Sequence, residues 1–169
     1  MFDENKLNQK QSDGTRYATG MRSIVGMAWD DDTESLYAVH HGRDDFRLLW
    51  PEFYSPWKSA MLPADEFFKV DKGFDGGFPY YYYDQMLGKK ILSPEYGGDG
   101  KKEGAGAKLV KPLVGFPGHF APNDILFYKG KDLRDEPKLE SRIEKMNNVM
   151  KECFKVEYMT NKFSEKDTK

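Results

Sequence analysis

Between Tyr17 and Gly130 the apolar positions come in short runs, and glycine, proline or acidic residues close each run. "SIVGMAWD" and "SLYAVHH" are two such runs with "DDDTE" between them, the pattern of two antiparallel strands joined by a hairpin turn. "LLWPEFYSPWKSAMLPADEFFKV" follows. Pro51, Pro56 and Pro63 interrupt it and forbid a long helix, and its end, "ADEFFKV", reads as a strand. "DKGFDGGFPYYYYD" is a glycine-rich turn running into four tyrosines. "ILSPEYGGDGKKEGAGAKLVKPLVGFP" mixes turns with short apolar pieces, and "NDILFYKG" reads as the last strand, closed by Gly130. No internal repeat is visible. Residues 17–130 therefore read as mainly β with long loops, preceded by a polar, aperiodic stretch over 1–16 that reads as a mobile tail.

After Gly130 the period changes. In "EPKLESRIEKMNNVMKECFKVEYM" the apolar residues Leu139, Ile143, Met146, Met150 and Cys153 fall at alternating spacings of four and three, and Pro137 sits near the start. This predicts an amphipathic helix over 137–158 inside a C-terminal extension, 131–169. Its apolar face needs a cover, either the chain's own sheet or the same helix in another copy, so self-association is one expectation.

Composition narrows the function classes. With 169 residues the chain is the size of one domain, and its 15% aromatic content is too high for a disordered chain. A formal net charge of −2 argues against nucleic acid as a partner, since there is no basic stripe to replace counterions. Cys153 stands alone, which excludes an internal disulfide and a thiolate metal cluster. The first fifteen residues hold no apolar run of the ~7–15 residues that a signal peptide needs, and no stretch approaches the roughly 20 of a membrane span.

Candidate chemistry centres on "HHGRDD", His40 to Asp45. Consecutive histidines on a strand point to opposite faces, so His40 and His41 suit a shared zinc ion poorly, and Asp44–Asp45 has the same difficulty. A solvated loop is one reading; calcium held by main-chain oxygens around Gly42 is another. "GGDGKKEGAG" has the glycines of a phosphate loop without its GK[ST] ending or a following helix, and so also reads as a flexible loop. Tyr80–Tyr83 are either strand packing or a stacking platform. His119 is isolated and reads as structural, and Glu95 and Asp99 lack the partner that paired-carboxylate hydrolysis requires.

Six stretches in order, "YATGMRSIVGMAWD", "LYAVHHGRDD", "LWPEFYS", "DKGFDGGFPYYYYD", "GKKILSPEYGGDGK" and "FPGHFAPNDILFYKG", resemble the soluble glucose/sorbosone dehydrogenase family. These are quinoproteins that carry pyrroloquinoline quinone on a six-bladed β-propeller and oxidise sugars. The resemblance implies that Arg22 and Ser23 stand at cofactor-binding positions, with Ser23 in place of the family's asparagine. It implies that Gly42 and Arg43 supply main-chain oxygens to calcium, which activates the quinone as a Lewis acid. None of His40, His41 and His119 matches the family's histidine base, so no catalytic residue is assigned. Residues 17–130 suffice for about two to three blades of roughly 40–50 residues. The expectation is a partial propeller with a C-terminal helix, a fragment or truncated relative of a quinone-dependent sugar dehydrogenase, inactive alone. The alternative is a non-catalytic module that binds calcium or a partner.

Overall fold

The computed structural model describes residues 1–104, 109–127, 145, 147 and 148. Eight strands and two short helices occur among them: β1 (Ala18–Thr19), β2 (Ser23–Asp30), β3 (Ser35–His41), α1 (Phe46–Leu49), α2 (Pro56–Met61), β4 (Asp65–Lys69), β5 (Phe74–Asp75), β6 (Tyr81–Asp84), β7 (Lys89–Leu92) and β8 (Val114–Phe116). The chain is mainly β, as its periodicity predicts. An antiparallel sheet runs in the order β2-β3-β4-β8, β6 and β7 form a hairpin, and β1 pairs with β5 in parallel. No closed barrel or propeller forms among the described residues.

The β2–β3 hairpin turns where its acidic residues place it. Asp30 accepts from Asp32 N at 3.3 Å and from Thr33 Oγ1 at 2.6 Å, so its carboxylate replaces ladder bonds that the turn gives up. The prolines divide the next segment as expected. α1 stops before Trp50–Pro51. α2 starts at Pro56 behind Ser55, whose hydroxyl accepts from Lys58 N at 3.2 Å, and it ends before Leu62–Pro63.

Two apolar clusters hold these parts together. Phe46, Tyr54, Leu62, Tyr82 and Ile91 pack between the helices and the β6–β7 hairpin. Ala38, Phe68, Val70 and Phe74 lie on one face of the main sheet. The tyrosine run alternates as strand packing requires: Tyr82 is buried against Tyr54 and Phe46, and Tyr80 is exposed.

In residues 1–16, Thr15 N donates to Met1 O at 2.8 Å and the Met1 ammonium donates to Thr15 O at 2.6 Å. One expectation needs revision. "NDILFYKG" supplies no strand among its described residues; the last described strand is β8, in the apolar piece before it. The reason is local. The chain enters this stretch from residues fastened by side chains, Ala121 N donating to Asp65 Oδ2 at 2.7 Å and the Pro122 carbonyl meeting His41 Nε2 at 3.1 Å, and within it Ile125 N turns to Asp124 Oδ1 at 2.8 Å. The segment then passes so close over β2 that a Cβ on Gly26 would stand 2.9 Å from Asp124 Cα.

The predicted 137–158 helix lies outside the described residues except at Lys145, Asn147 and Asn148, which are helical. Asn147 Nδ2 donates to Leu113 O at 2.6 Å, beside β8.

Candidate functional site

The cleft forms where β3 ends. Gly42 is required there by close approach, since a Cβ would lie 2.8 Å from the Ala64 carbonyl oxygen and 3.0 Å from Pro63. Its N–H donates to Asp65 Oδ1 at 2.8 Å, and the same carboxylate holds Ala121, so Asp65 fastens both the 42–45 loop and the 117–122 segment. Arg22 reaches over from the bend before β2, and its Nη1 donates to Gly42 O at 2.7 Å. Arg43 pairs with Glu95 and lies over the Phe46 and Trp50 rings, 5.3 and 5.0 Å from their centroids. Partial burial, and then the neighbouring Arg22 charge, hold the Arg43 guanidinium below its usual pKa.

These residues border a cleft of about 360 Å³. Phe78, Tyr81 and Tyr96 contribute aromatic wall, and Asp44, Asp45 and Glu95 stand with the arginines around it. His40 and Glu66 also line it, although both are almost fully buried.

The two histidines face opposite ways, as strand geometry predicts. His40 turns to Glu66, its direct cross-strand partner on β4, at 3.2 Å; His41 turns to the Pro122 carbonyl. No group of three or more histidine, cysteine, aspartate or glutamate side chains is placed to hold a metal among the described residues.

Arg22, Gly42 and Arg43 thus come together. Ser23 does not: it is exposed at the start of β2, opposite His41 in the ladder, and does not border the cleft. His119, read as isolated, reaches Asp44 with Nδ1 at 3.1 Å from Oδ1. Glu95 and Asp99 part company. Asp99 accepts from Lys101 N at 2.9 Å and Lys102 N at 2.7 Å, and these two N–H groups hold its carboxyl below the ordinary range. The described part of the glycine loop turns back onto β7 instead of opening a helix, with Leu92 N on Lys102 O and Gly104 N on Lys90 O.

Sequence reasoning missed Glu66 and Lys90. Lys90 Nζ, from β7, donates to Glu66 Oε2 at 2.5 Å and to Gly76 O at 2.7 Å. The only signal was a charged residue at an inward strand position, and "GKKIL" does not tell which lysine turns inward.

The donor set tests the implied cofactors. A calcium ion on Gly42 O would stand against the guanidinium that already occupies that oxygen, so calcium does not fit this arrangement. An anionic ring fits better. Arg22 has more N–H donors than its one bond to Gly42 uses, and it borders the cleft. Compared with family models, curated proteins and solved structures, the chain matches none.

Proposed function

We propose that this chain is a piece of a quinone-dependent sugar dehydrogenase, a partial propeller of about two to three blades that retains part of the cofactor site and does not turn over alone. One observation carries the reading. Arg22 and the Gly42–Arg43 pair, singled out by the resemblance and well separated in sequence, meet at one cleft with a direct hydrogen bond between them. The four-stranded antiparallel sheet also has the strand number of a propeller blade. In this reading Arg22 and Arg43 hold carboxylates of pyrroloquinoline quinone, which supplies hydride acceptance when bound. The aromatic wall excludes water from one side of the ring, and no side chain matches the family's histidine base.

Equilibrium dialysis against the quinone, with dye-linked aldose oxidation beside it, tests the reading. Expected are measurable binding, weakened about tenfold or more by Arg22→Ala, and no turnover. Binding that ignores Arg22→Ala, or no binding, overturns the cofactor reading; turnover overturns the claim of inactivity. A non-catalytic binding module is the second reading. The pairing of Arg43 with Glu95 favours it, because Glu95 already takes up that guanidinium's charge within the protein.

A further inference from the structure

At the floor of the cleft, three ionisable side chains that the reading above leaves without a role close the segment carrying Arg22 into a ring of hydrogen bonds. Arg22 lies in the bend before β2, whose ladder with β3 begins at Ser23 and His41. The Arg22 N–H lies outside that ladder and donates to His40 Nδ1 at 3.0 Å. A backbone N–H can only donate, so Nδ1 is the bare nitrogen and Nε2 carries the proton, which goes to Glu66 Oε1 at 3.2 Å. Glu66 Oε2 accepts from Lys90 Nζ at 2.5 Å, and Lys90 Nζ also donates to Gly76 O at 2.7 Å. The ring then returns to its start. Gly76 N donates to Thr19 O at 3.1 Å, and Phe78 N to Gly20 O at 2.9 Å, both on the segment that leads into Arg22.

The ring is tightly packed. A Cβ on Gly76 would stand 2.5 Å from Gly20 O. The His40 and Phe68 rings meet edge to face at 5.5 Å, and the Lys90 ammonium lies 5.2 Å from the Phe68 centroid. His40, Glu66 and Lys90 are 3–5% exposed, whereas Arg22 itself is exposed. Well-packed apolar residues hold such a space together at least as well as a buried ion pair does. What they cannot supply is an acceptor for Arg22 N. The ring ends on the backbone of a residue whose guanidinium borders the cleft and donates to Gly42 O at 2.7 Å. Arg22 is thus held at both ends. A neutral carbonyl takes up none of its charge, and the bond leaves its other N–H donors for a ligand. An exposed arginine gives up rotamer freedom when it binds an anion; one already fixed in place does not, so it binds more tightly with no new contact.

We propose that His40 is a positioning residue for Arg22, and that the ring through Glu66 and Lys90 presets the Arg22 guanidinium for a ligand carboxylate. The inference rests on Arg22 being an anion-binding residue, as proposed above, and adds the side chains that set its strength.

The test uses the whole chain, ¹⁵N-labelled, with His40→Asn and His40→Gln beside the parent. Asparagine sets its side-chain oxygen near the place of Nδ1 and keeps the acceptor for Arg22 N, but falls short of Glu66. Glutamine reaches Glu66 with its NH₂ and has a methylene in the place of Nδ1. A role in packing or in satisfying Glu66 favours glutamine; positioning of Arg22 favours asparagine. Expected in the parent are a ¹⁵N–¹⁵N coupling across the bond from Arg22 N–H to Nδ1, and separate Arg22 Nη signals because Gly42 O holds one of them. His40→Asn should keep the Nη signals separate and bind pyrroloquinoline quinone within about threefold of the parent in equilibrium dialysis. His40→Gln should merge those signals and weaken binding about tenfold or more. If His40→Gln does not fold, Glu66→Gln combined with Lys90→Met strands no charge, opens the ring at Gly76, and should merge the Nη signals in the same way. Glutamine as good as asparagine, or Nη signals unchanged by the opened ring, overturns the proposal. Quinone binding that needs Arg22 and is equal in the two His40 variants removes this inference alone. No quinone binding, with Nη signals that follow His40 as expected, removes only the dehydrogenase reading.

Discussion

Breaking the Glu66–Lys90 pair one side at a time should cost far more than removing it whole. The two charges meet at 2.5 Å with each side chain 5% exposed, so solvent screens them little. Lys90→Met leaves the Glu66 carboxylate buried with only the His40 N–H. Glu66→Gln leaves the ammonium with Gly76 O and creates a second conflict. The amide NH₂ must face either His40 Nε2–H or the ammonium, a donor against a donor both times, and His40 cannot change tautomer without turning a proton toward Arg22 N–H. Each single change should cost about 3–5 kcal/mol, the usual penalty for stranding one member of a buried pair. That is a large part of the ~5–15 kcal/mol stability of a typical domain. In the double variant no charge is stranded, and the glutamine can turn its carbonyl to His40, so its cost should fall below the sum of the singles by at least about 2 kcal/mol. Urea unfolding at neutral pH, followed by tryptophan fluorescence and far-ultraviolet circular dichroism, gives the three differences. Additive costs would refute the argument, because they would mean that the two residues act through packing and not through one shared charge pair.

Phe46 is fully buried and stacks on Tyr54 with centroids 4.5 Å apart, so Phe46→Ala should lower unfolding stability by about 3–5 kcal/mol in the same urea experiment. Gly20 has φ +74°, and a Cβ there would lie 2.2 Å from Asp75 Oδ1 and 2.4 Å from Gly77 N; Gly20→Ala should cost well over ~1 kcal/mol and lower the melting temperature. Burial pushes the Asp84 carboxyl up, against the pull of the Leu87 and Met86 N–H groups and of Lys58. A raised folded pKa makes the protonated form the stabilising one, so the contribution is complete below the unfolded pKa and is lost as pH rises through the folded one. Asp84→Asn keeps an acceptor for Met86 N and Leu87 N, and should raise the melting temperature relative to the parent more at neutral pH than at pH ~4; an equal difference at both pH values would show that burial does not disfavour the charge.

How far the sequence was legible depended on whether the signal was local. Strands β2 and β3 could be read because apolar runs bounded by an acidic turn need only neighbouring residues to specify them, and the proline spacing limited α1 and α2 for the same reason. β8 was not legible: three residues with a central glycine carry little pattern. "DILF" carried a strong pattern and still misled, because its backbone follows a path set by Asp65, His41 and Gly26, and Leu126 is left 87% exposed. At the cleft, Gly42 was singled out by the resemblance, as a source of main-chain oxygen, whereas the close backbone approach that requires a glycine there is visible only in the fold. The charged floor was not legible. Glu66 sits opposite His40 only once β3 and β4 are in register, and Lys90 reaches it only when β7 packs beneath the sheet. A buried charge is stable only beside its partner, and partners from three strands have no spacing in the chain. Periodicity therefore favours apolar residues at inward positions, and misses an ionisable group there because its compensation comes from elsewhere in the fold. The same physical fact that hid Glu66 and Lys90 from the sequence makes them informative in the structure. Three strands must be held in register to keep these charges paired, and Glu66 at the centre also borders the cleft.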